Sequence, residues 1–289
     1  MKPTPFDYTT ARSVAEAVAL LADPTRDAKI MAGGQSLIPM LNMRLARPEL
    51  LVDITRIPEL SHLTVDASGA LHIGAAVRQS RTAADPAVRR GWPLLAAAIE
   101  HIGHPQIRSR GTVCGSLAHH DPAGELPTVA RALDARFVIT GPRGIRTVRA
   151  EDFFVATFST AVGEDELLLE AVFPPPPAQH GWAFEELTRR HGDFATVAVS
   201  VLLERDSVAG TVRSARVVFS GAGPVPVRLP AAEDTLVGTR VGEEALAAAR
   251  RAALAGLSPS ADVHASAAHR RETAAHLLVR ACTTAWERC

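Results

Sequence analysis

Apolar residues fall at helical spacing over 10–23, where Val14, Ala17, Val18, Leu20 and Leu21 share a face and Thr10 or Ser13 can cap the start. Residues 28–32 form a short apolar run that stops at Gly33-Gly34, the pattern of a strand entering a tight loop. Helical spacing returns over 36–45, with Leu37, Met40, Leu41 and Leu45 on one side. Pro39 lies in the first turn of that segment, where its missing N–H costs little. Residues 50–54 predict a second strand. Helix, strand, glycine loop, helix and strand make a small α/β unit.

The next stretch reads differently. Residues 62–65 and 71–75 look like a strand pair across 66–69, and 92–102 is apolar and helical. Residues 136–140 and 145–148 flank Gly141-Pro142-Arg143-Gly144, a hairpin signal. The strand predicted at 167–173 runs into four prolines at 174–177, which favour an extended connection and a boundary. Beyond them, 196–204 and 212–220 alternate as strands around 207–210. Helices are expected at 243–255 and 267–286, the latter after Ser266 and carrying Leu277, Leu278, Ala281 and Ala285. There is no internal repeat.

Composition narrows the function classes. The chain has 289 residues, 47% hydrophobic and 21% charged, which excludes a wholly disordered chain. Lys+Arg and Asp+Glu are 31 each, so the basic footprint of a nucleic-acid binder is missing. Aromatics are 4%, with Tyr8 the single tyrosine, too few for base-stacking platforms or sugar clefts. No apolar stretch reaches the ~18 residues of a membrane span. The start, MKPTPFDYTT, is a poor signal peptide. Cys114, Cys282 and Cys289 make neither a disulfide framework nor a four-thiolate cluster, and a reducing, cytoplasmic setting is expected.

Three stretches can carry chemistry. Ala32-Gly33-Gly34-Gln35-Ser36 lies between a strand and a helix. It reads either as an ordinary tight turn or as a nest of N–H groups suited to a phosphate or pyrophosphate. It is neither GxGxxG nor a P-loop. The second stretch is 108–127, RSRGTVCGSLAHHDPAGELP, in which Gly111 and Gly115 flank Thr112, Val113 and Cys114, with Ser116 next. It reads as a long loop: either its glycines and Asp-Pro only make turns, or it approaches a ligand closely, with Asp121 and Glu125 accepting from ribose or ribityl hydroxyls. His119-His120-Asp121 lacks the spacing and the distant partners of a metal site, and a Ser116–His119–Asp121 triad lacks a nucleophile elbow. Cys114 reads as a small buried filler. The third stretch is 188–195, TRRHGDFA, read either as a hairpin turn with a core Phe or as a turn that presents the Phe194 ring.

Together these stretches resemble the medium, FAD-binding subunit of the molybdenum hydroxylases, the family of carbon monoxide, nicotine and xanthine dehydrogenases. The resemblance rests on AGGQSLIPMLNMRLARPELLVDI at 32–54, GAAVRQS at 74–80, RSRGTVCGSLAHHDPAGELP at 108–127, RRHGDFATVAV at 189–199 and DVHASAAHRRETAAHLLVRA at 262–281. It implies an α+β chain: a two-lobed FAD-binding domain (small α/β lobe plus α+β lobe) followed by a C-terminal domain of antiparallel strands and helices. The expected division is 1–175, with lobes of about 1–56 and 57–175, and 176–289.

The resemblance also implies site residues. The backbone of Ala32, Gly33, Gly34, Gln35 and Ser36 would hold the pyrophosphate, with Leu37 close by. Gly111, Thr112, Gly115 and Ser116 would add the second loop. Ile102 matches an apolar neighbour of the flavin nucleotide, Glu125 a carboxylate near the ribose or ribityl, and Asp121 the adjacent turn. Leu168 matches a residue lining the isoalloxazine and Phe194 one that covers it. Cys114 stands where glycine is common, and Glu185-Glu186 stand near where many relatives carry a lysine.

The implied role is electron transfer. A large subunit would hold a molybdenum cofactor and hydroxylate the substrate, and a small subunit would carry two [2Fe–2S] clusters. This chain would carry FAD alone, with no metal and no acid–base residue, in a dimer of heterotrimers. A self-contained flavin oxidoreductase acting on its own small substrate is the alternative. A scaffold that has lost flavin is opposed by the intact glycines 33, 34, 111 and 115.

Overall fold

The computed structural model describes residues 2–289. The chain opens with β1 (Asp7–Thr10), α1 (Val14–Leu21), β2 (Ala28–Met31), α2 (Leu37–Asn42) and β3 (Leu50–Asp53). The strands form a parallel sheet in the order β1-β3-β2. The helix expected at 10–23 starts only after Ser13, whose hydroxyl accepts from Glu16 N–H at 3.1 Å. The residues before it are extended because they pair with β3, a partner that local sequence does not reveal. The helix expected at 36–45 is shorter too: α2 stops at Asn42, and Arg44 turns left-handed at φ 59°.

A second lobe follows. A 3-10 turn at Pro58–Ser61 leads into β4 (Leu63–Val65), β5 (Leu71–Gly74), α3 (Gln79–Ala84), α4 (Pro86–Gly91), α5 (Pro93–His101) and α6 (Pro105–Arg108). Next come α7 (Val113–His119), α8 (Glu125–Ala132), β6 (Arg136–Gly141), β7 (Gly144–Arg149), α9 (Ala150–Phe153), β8 (Phe154–Ala156), β9 (Ser159–Thr160) and β10 (Leu167–Phe173). Its main sheet is antiparallel, in the order β4-β5-β10-β6-β7. Both expected strand pairs form here.

The stretch 108–127 is not a loop. Thr112 caps α7 by accepting from Gly115 N–H at 3.0 Å, and α8 begins at Glu125. Glycine at 115 is what hides this helix from a propensity reading. An added Cβ there would stand 2.6 Å from the Thr112 hydroxyl, so the cap itself excludes a side chain.

After the prolines come β11 (His180–Leu187), β12 (Val197–Arg205), β13 (Val212–Ser220) and β14 (Val227–Arg228), then α10 (Pro230–Leu236), α11 (Glu243–Gly256) and α12 (Ala267–Glu287). The strands form an antiparallel sheet in sequence order. One face packs on α10, α11 and α12 through Val197, Val199, Val201 and Leu203. Ala198 and Leu202 on the other face join the core of the preceding lobes, where α8 meets β12 and β13. β12 is therefore buried on both sides, which explains why it is apolar at nearly every position. That double burial draws α8 and its neighbours against β11 and β12, where the candidate site lies.

Candidate functional site

The two glycine loops touch. A Cβ added to Gly33 would stand 2.5 Å from Arg110 O and 2.7 Å from Gly111 Cα, so backbone lies directly on backbone. Gly34 takes the left-handed conformation at φ 72°, which reverses the chain between β2 and α2. Among the described residues, no acceptor takes the backbone N–H of Gly33, Gly34, Gln35, Ser36 or Leu37. The Gln35 side chain folds back, its Nε2 donating to Gly33 O at 3.1 Å. Ala32 sits beside Gly115, its Cβ 3.8 Å from where a Gly115 Cβ would be.

The second loop spends most of its N–H groups internally. Gly111 donates to Ile107 O, Gly115 to the Thr112 hydroxyl and Ser116 to Thr112 O. Among the described residues, the N–H groups of Thr112 and Cys114 take no acceptor, and two hydroxyl protons remain beside them. Thr112 Oγ1 accepts from Gly115, and Ser116 Oγ accepts from Gln79 Nε2 at 2.8 Å, so each is free to donate its own hydrogen. Gln79 is buried, and its Oε1 would be 2.7 Å from a Cβ at Gly111. The motif GAAVRQS drew attention to this segment, but only the folded chain brings Gln79 to Ser116. Arg78 reaches across to Arg110 O, placing its guanidinium on the same loop.

Cys114 lies between these groups, fully buried, its Sγ 3.3 Å from Ile73 O. Burial pushes its thiol up to about 12, so it is an inert filler rather than a nucleophile. His120, at the left-handed end of α7, has Nδ1 3.1 Å from Ser159 O, and burial lowers its pKa.

A second group of residues gathers where α5 and α8 meet β11. Ile102 ends α5, and the following Gly103-His104 lies against the turn between β11 and β12: a Cβ at Gly192 would be 2.8 Å from His104 Cε1 and 3.0 Å from Gly103 O. On that turn Phe194 is 60% exposed, which rules out the core-Phe reading of this segment. Asp121 forms its own turn, accepting from Ala123 N–H at 2.9 Å. Leu168 does not join either group. It is buried within β10 opposite Ile139, in the shared core.

Glu125, at the start of α8, is 5% exposed. Burial raises its carboxyl to about 8, and the nearby Glu186 carboxylate adds to the shift. The consequence for stability has a definite sign. The unfolded chain ionises this group near the ordinary 4.5, while the folded flavin-free chain keeps it protonated until about 8. Ionisation therefore favours the unfolded chain increasingly from about pH 4.5 to about pH 8. In thermal melts across that window, Glu125→Gln is expected to flatten the decline and to melt several degrees higher than the parent at the alkaline end.

His101, one residue before Ile102, was not singled out by sequence reasoning; a lone histidine at a helix end carries no local signal. Its Nδ1 is 2.9 Å from Glu186 Oε1, and the hydrogen bond to Glu186 raises its pKa against the opposing effect of burial.

Comparison with known proteins bears on the family and the fold. The family described as FAD binding domain in molybdopterin dehydrogenase matches residues 4–176, and the CO dehydrogenase flavoprotein C-terminal domain matches 182–285. The carbon monoxide dehydrogenase medium chain of Hydrogenophaga pseudoflava is 38% identical over 289 residues, covering 100% of both chains. The 6-hydroxypseudooxynicotine dehydrogenase complex subunit alpha of Paenarthrobacter nicotinovorans is 40% identical, covering 100% of this chain and 97% of its own. A solved structure of the Hydrogenophaga pseudoflava carbon monoxide dehydrogenase superposes with a TM-score of 0.95 at 41% identity, covering 100% of both chains. Quinoline 2-oxidoreductase from Pseudomonas putida 86 follows with a TM-score of 0.94 at 35% identity, covering 99% of each chain. The chain belongs to the FAD-binding medium subunits of the molybdenum hydroxylases, the family of the carbon monoxide, nicotine and xanthine dehydrogenases.

Proposed function

We propose that this chain is the FAD-carrying electron-transfer subunit of a molybdenum-containing hydroxylase or dehydrogenase. It takes electrons from [2Fe–2S] clusters on a small partner and passes them to an external acceptor. A large partner carries the molybdenum cofactor, and the assembly is a dimer of heterotrimers. One observation carries the cofactor reading: Gly33 lies on Gly111 with no side chain between them, beside five backbone N–H groups that have no protein acceptor. Such a cradle suits a diphosphate.

The residues present fit FAD. Gly33, Gly34, Gln35, Ser36 and Leu37 would donate backbone hydrogens to the diphosphate, with Ala32 setting the exit from β2. Thr112 and Ser116 would donate hydroxyl protons, and Gln79 holds Ser116 in place. Gly111 and Gly115 keep the second loop close. Asp121 and Glu125 would serve the sugar portion, and Ile102 and Phe194 would offer apolar cover to the ring. Leu168, buried within β10, is left out of this set. The bound cofactor supplies the reversible redox chemistry, and these residues bind it, orient it and exclude water.

The proline run at 174–177 divides the chain in this proposal: 1–175, with lobes of about 1–56 and 57–175, binds FAD, and 176–289 closes the site through the Phe194 turn. Three free thiols, two of them buried, favour a reducing compartment, and we place the complex in the cytoplasm.

The test is reconstitution of the purified chain with FAD, followed by absorption spectra. Stoichiometric flavin bands are expected, with no turnover of small substrates until the partner subunits are added. Turnover by this chain alone would overturn the electron-transfer reading.

A further inference from the structure

The turn between β8 and β9 holds Phe158 in the left-handed backbone region, at φ 55°, with its side chain 54% exposed. Both features are unfavourable. A bulky residue is strained in that region, and an apolar ring in water forgoes the gain of burial. The fold nevertheless fixes the turn. Phe158 N–H donates to His120 O at 3.1 Å. His120 is buried, left-handed itself at φ 48°, and has Nδ1 3.1 Å from Ser159 O. The Phe158 ring lies on the His119 ring, 5.0 Å between centroids. Backbone strain that holds an aromatic ring at the surface is a feature of ligand sites.

The place of this pair on α7 identifies the ligand. Ser116 and His119 are three residues apart and share a face of the helix. At the Ser116 end the helix lies against the N–H cradle, with Ala32 Cβ 3.8 Å from where a Gly115 Cβ would be. His119 stands about 5 Å further along the axis, the order of span that a ribose bridges between a phosphate and its base. Its ring is partly accessible, and burial lowers its pKa, with Lys29 adding to the shift and Asp121 opposing it. At neutral pH it is an uncharged flat surface. Lys29 lies on β2, the strand that runs into the cradle. Ile102 and Phe194 gather elsewhere, where α5 meets β11, and serve the flavin end in the reading above. The aromatic pair on α7 is left for the other end of the dinucleotide.

Resting on that FAD reading, we propose that the Phe158–His119 pair is the seat of the adenine base of FAD, with the Phe158 ring stacking on it. Stacking of a base on an aromatic side chain contributes about 10-fold to affinity. The strained turn keeps the ring in place before the ligand arrives.

The experiment is titration of the flavin-free full-length chain with FAD, read by flavin fluorescence, followed by displacement with ADP. ADP keeps the adenine, ribose and diphosphate and lacks the flavin, and it is expected to displace FAD from the parent chain. Phe158→Gly relieves the left-handed strain, so it is expected to melt no lower than the parent while binding FAD and ADP each about 10-fold more weakly. Phe158→Trp, which keeps a ring, is expected to restore most of both affinities. Unchanged affinities in Phe158→Gly overturn the contact. A loss confined to FAD also overturns it, because Phe158 would then serve the flavin half. ADP that fails to displace FAD from the parent overturns the adenine seat, whereas failure of the parent to bind FAD at all overturns the FAD reading itself.

Discussion

Gly33→Val is expected to give a folded chain that retains almost no FAD. The substituted Cβ would stand 2.5 Å from Arg110 O and 2.7 Å from Gly111 Cα, and both obstacles are backbone. Neither can rotate away as a side-chain tip would. Relief requires the loop after β2 and the loop before α7 to part. Overpacking of this kind costs about 1–3 kcal/mol, which a chain with a core spanning both lobes can bear. The N–H cradle cannot, because its groups would no longer converge. The measurement is flavin per chain after reconstitution, beside a melting curve. Gly91→Ala is the control: nothing lies within 4 Å of the added carbon, so flavin content should be unchanged. A Gly33→Val chain with full flavin and parental affinity would show that the contact between the loops is dispensable.

Gly181→Ala is expected to produce the greatest loss of stability among single-methyl additions. Its Cβ would fall 1.7 Å from Ala285 O and 2.8 Å from Cys289 Sγ. Gly181 pairs with Leu203 in the sheet, and Ala285 lies in the last turns of α12, so the collision sets the β11–β12 ladder against a helix backbone. Moving the helix would disturb Leu277, Leu278, Ala281 and Ala285, all buried against the same sheet face. A cost of about 3 kcal/mol, the upper end for overpacking, lowers the melting temperature by roughly 5–10 °C in a chain of this size. Calorimetry or a dye-based melt reads this directly. An unchanged melting temperature would mean that α12 sits loosely on β11.

The regular elements were legible where period and punctuation agreed. α12 is an example: Ser266 caps it, accepting from His269 N–H at 3.2 Å, and the expected apolar stripe is its buried face. β10 ends at Phe173, just before the prolines, and the strands after the prolines pair as a hairpin. β1 was missed because a short polar strand at a sheet edge owes its existence to its partner. α7 was missed because Gly115 lowers helix propensity within a segment that is stabilised by a cap and by burial of Val113, Cys114 and Leu117.

The site was legible in part. The glycine pairs marked both loops, and the exposed ring of Phe194 agrees with a turn that presents it rather than with the core alternative. Leu168 points the other way, because its strand is central to a sheet and its side chain is consumed by the core. Gln79, His101 and Glu186 had no local signature. Their meaning comes from partners at sequence separations of 37 for Gln79 with Ser116 and 85 for His101 with Glu186.

Local chemistry along the chain was enough to mark the longer helices, the hairpins and the two glycine turns, since period, caps and backbone freedom act over a few residues, while the family was read from the resemblance of its ordered motifs. Contact between Gly33 and Gly111, burial of β12 on both faces and isolation of Glu186 Oε2 arise only when distant segments exclude water together. Packing is a property of the assembled chain, because which polar atom is left without a partner depends on every element that closes around it.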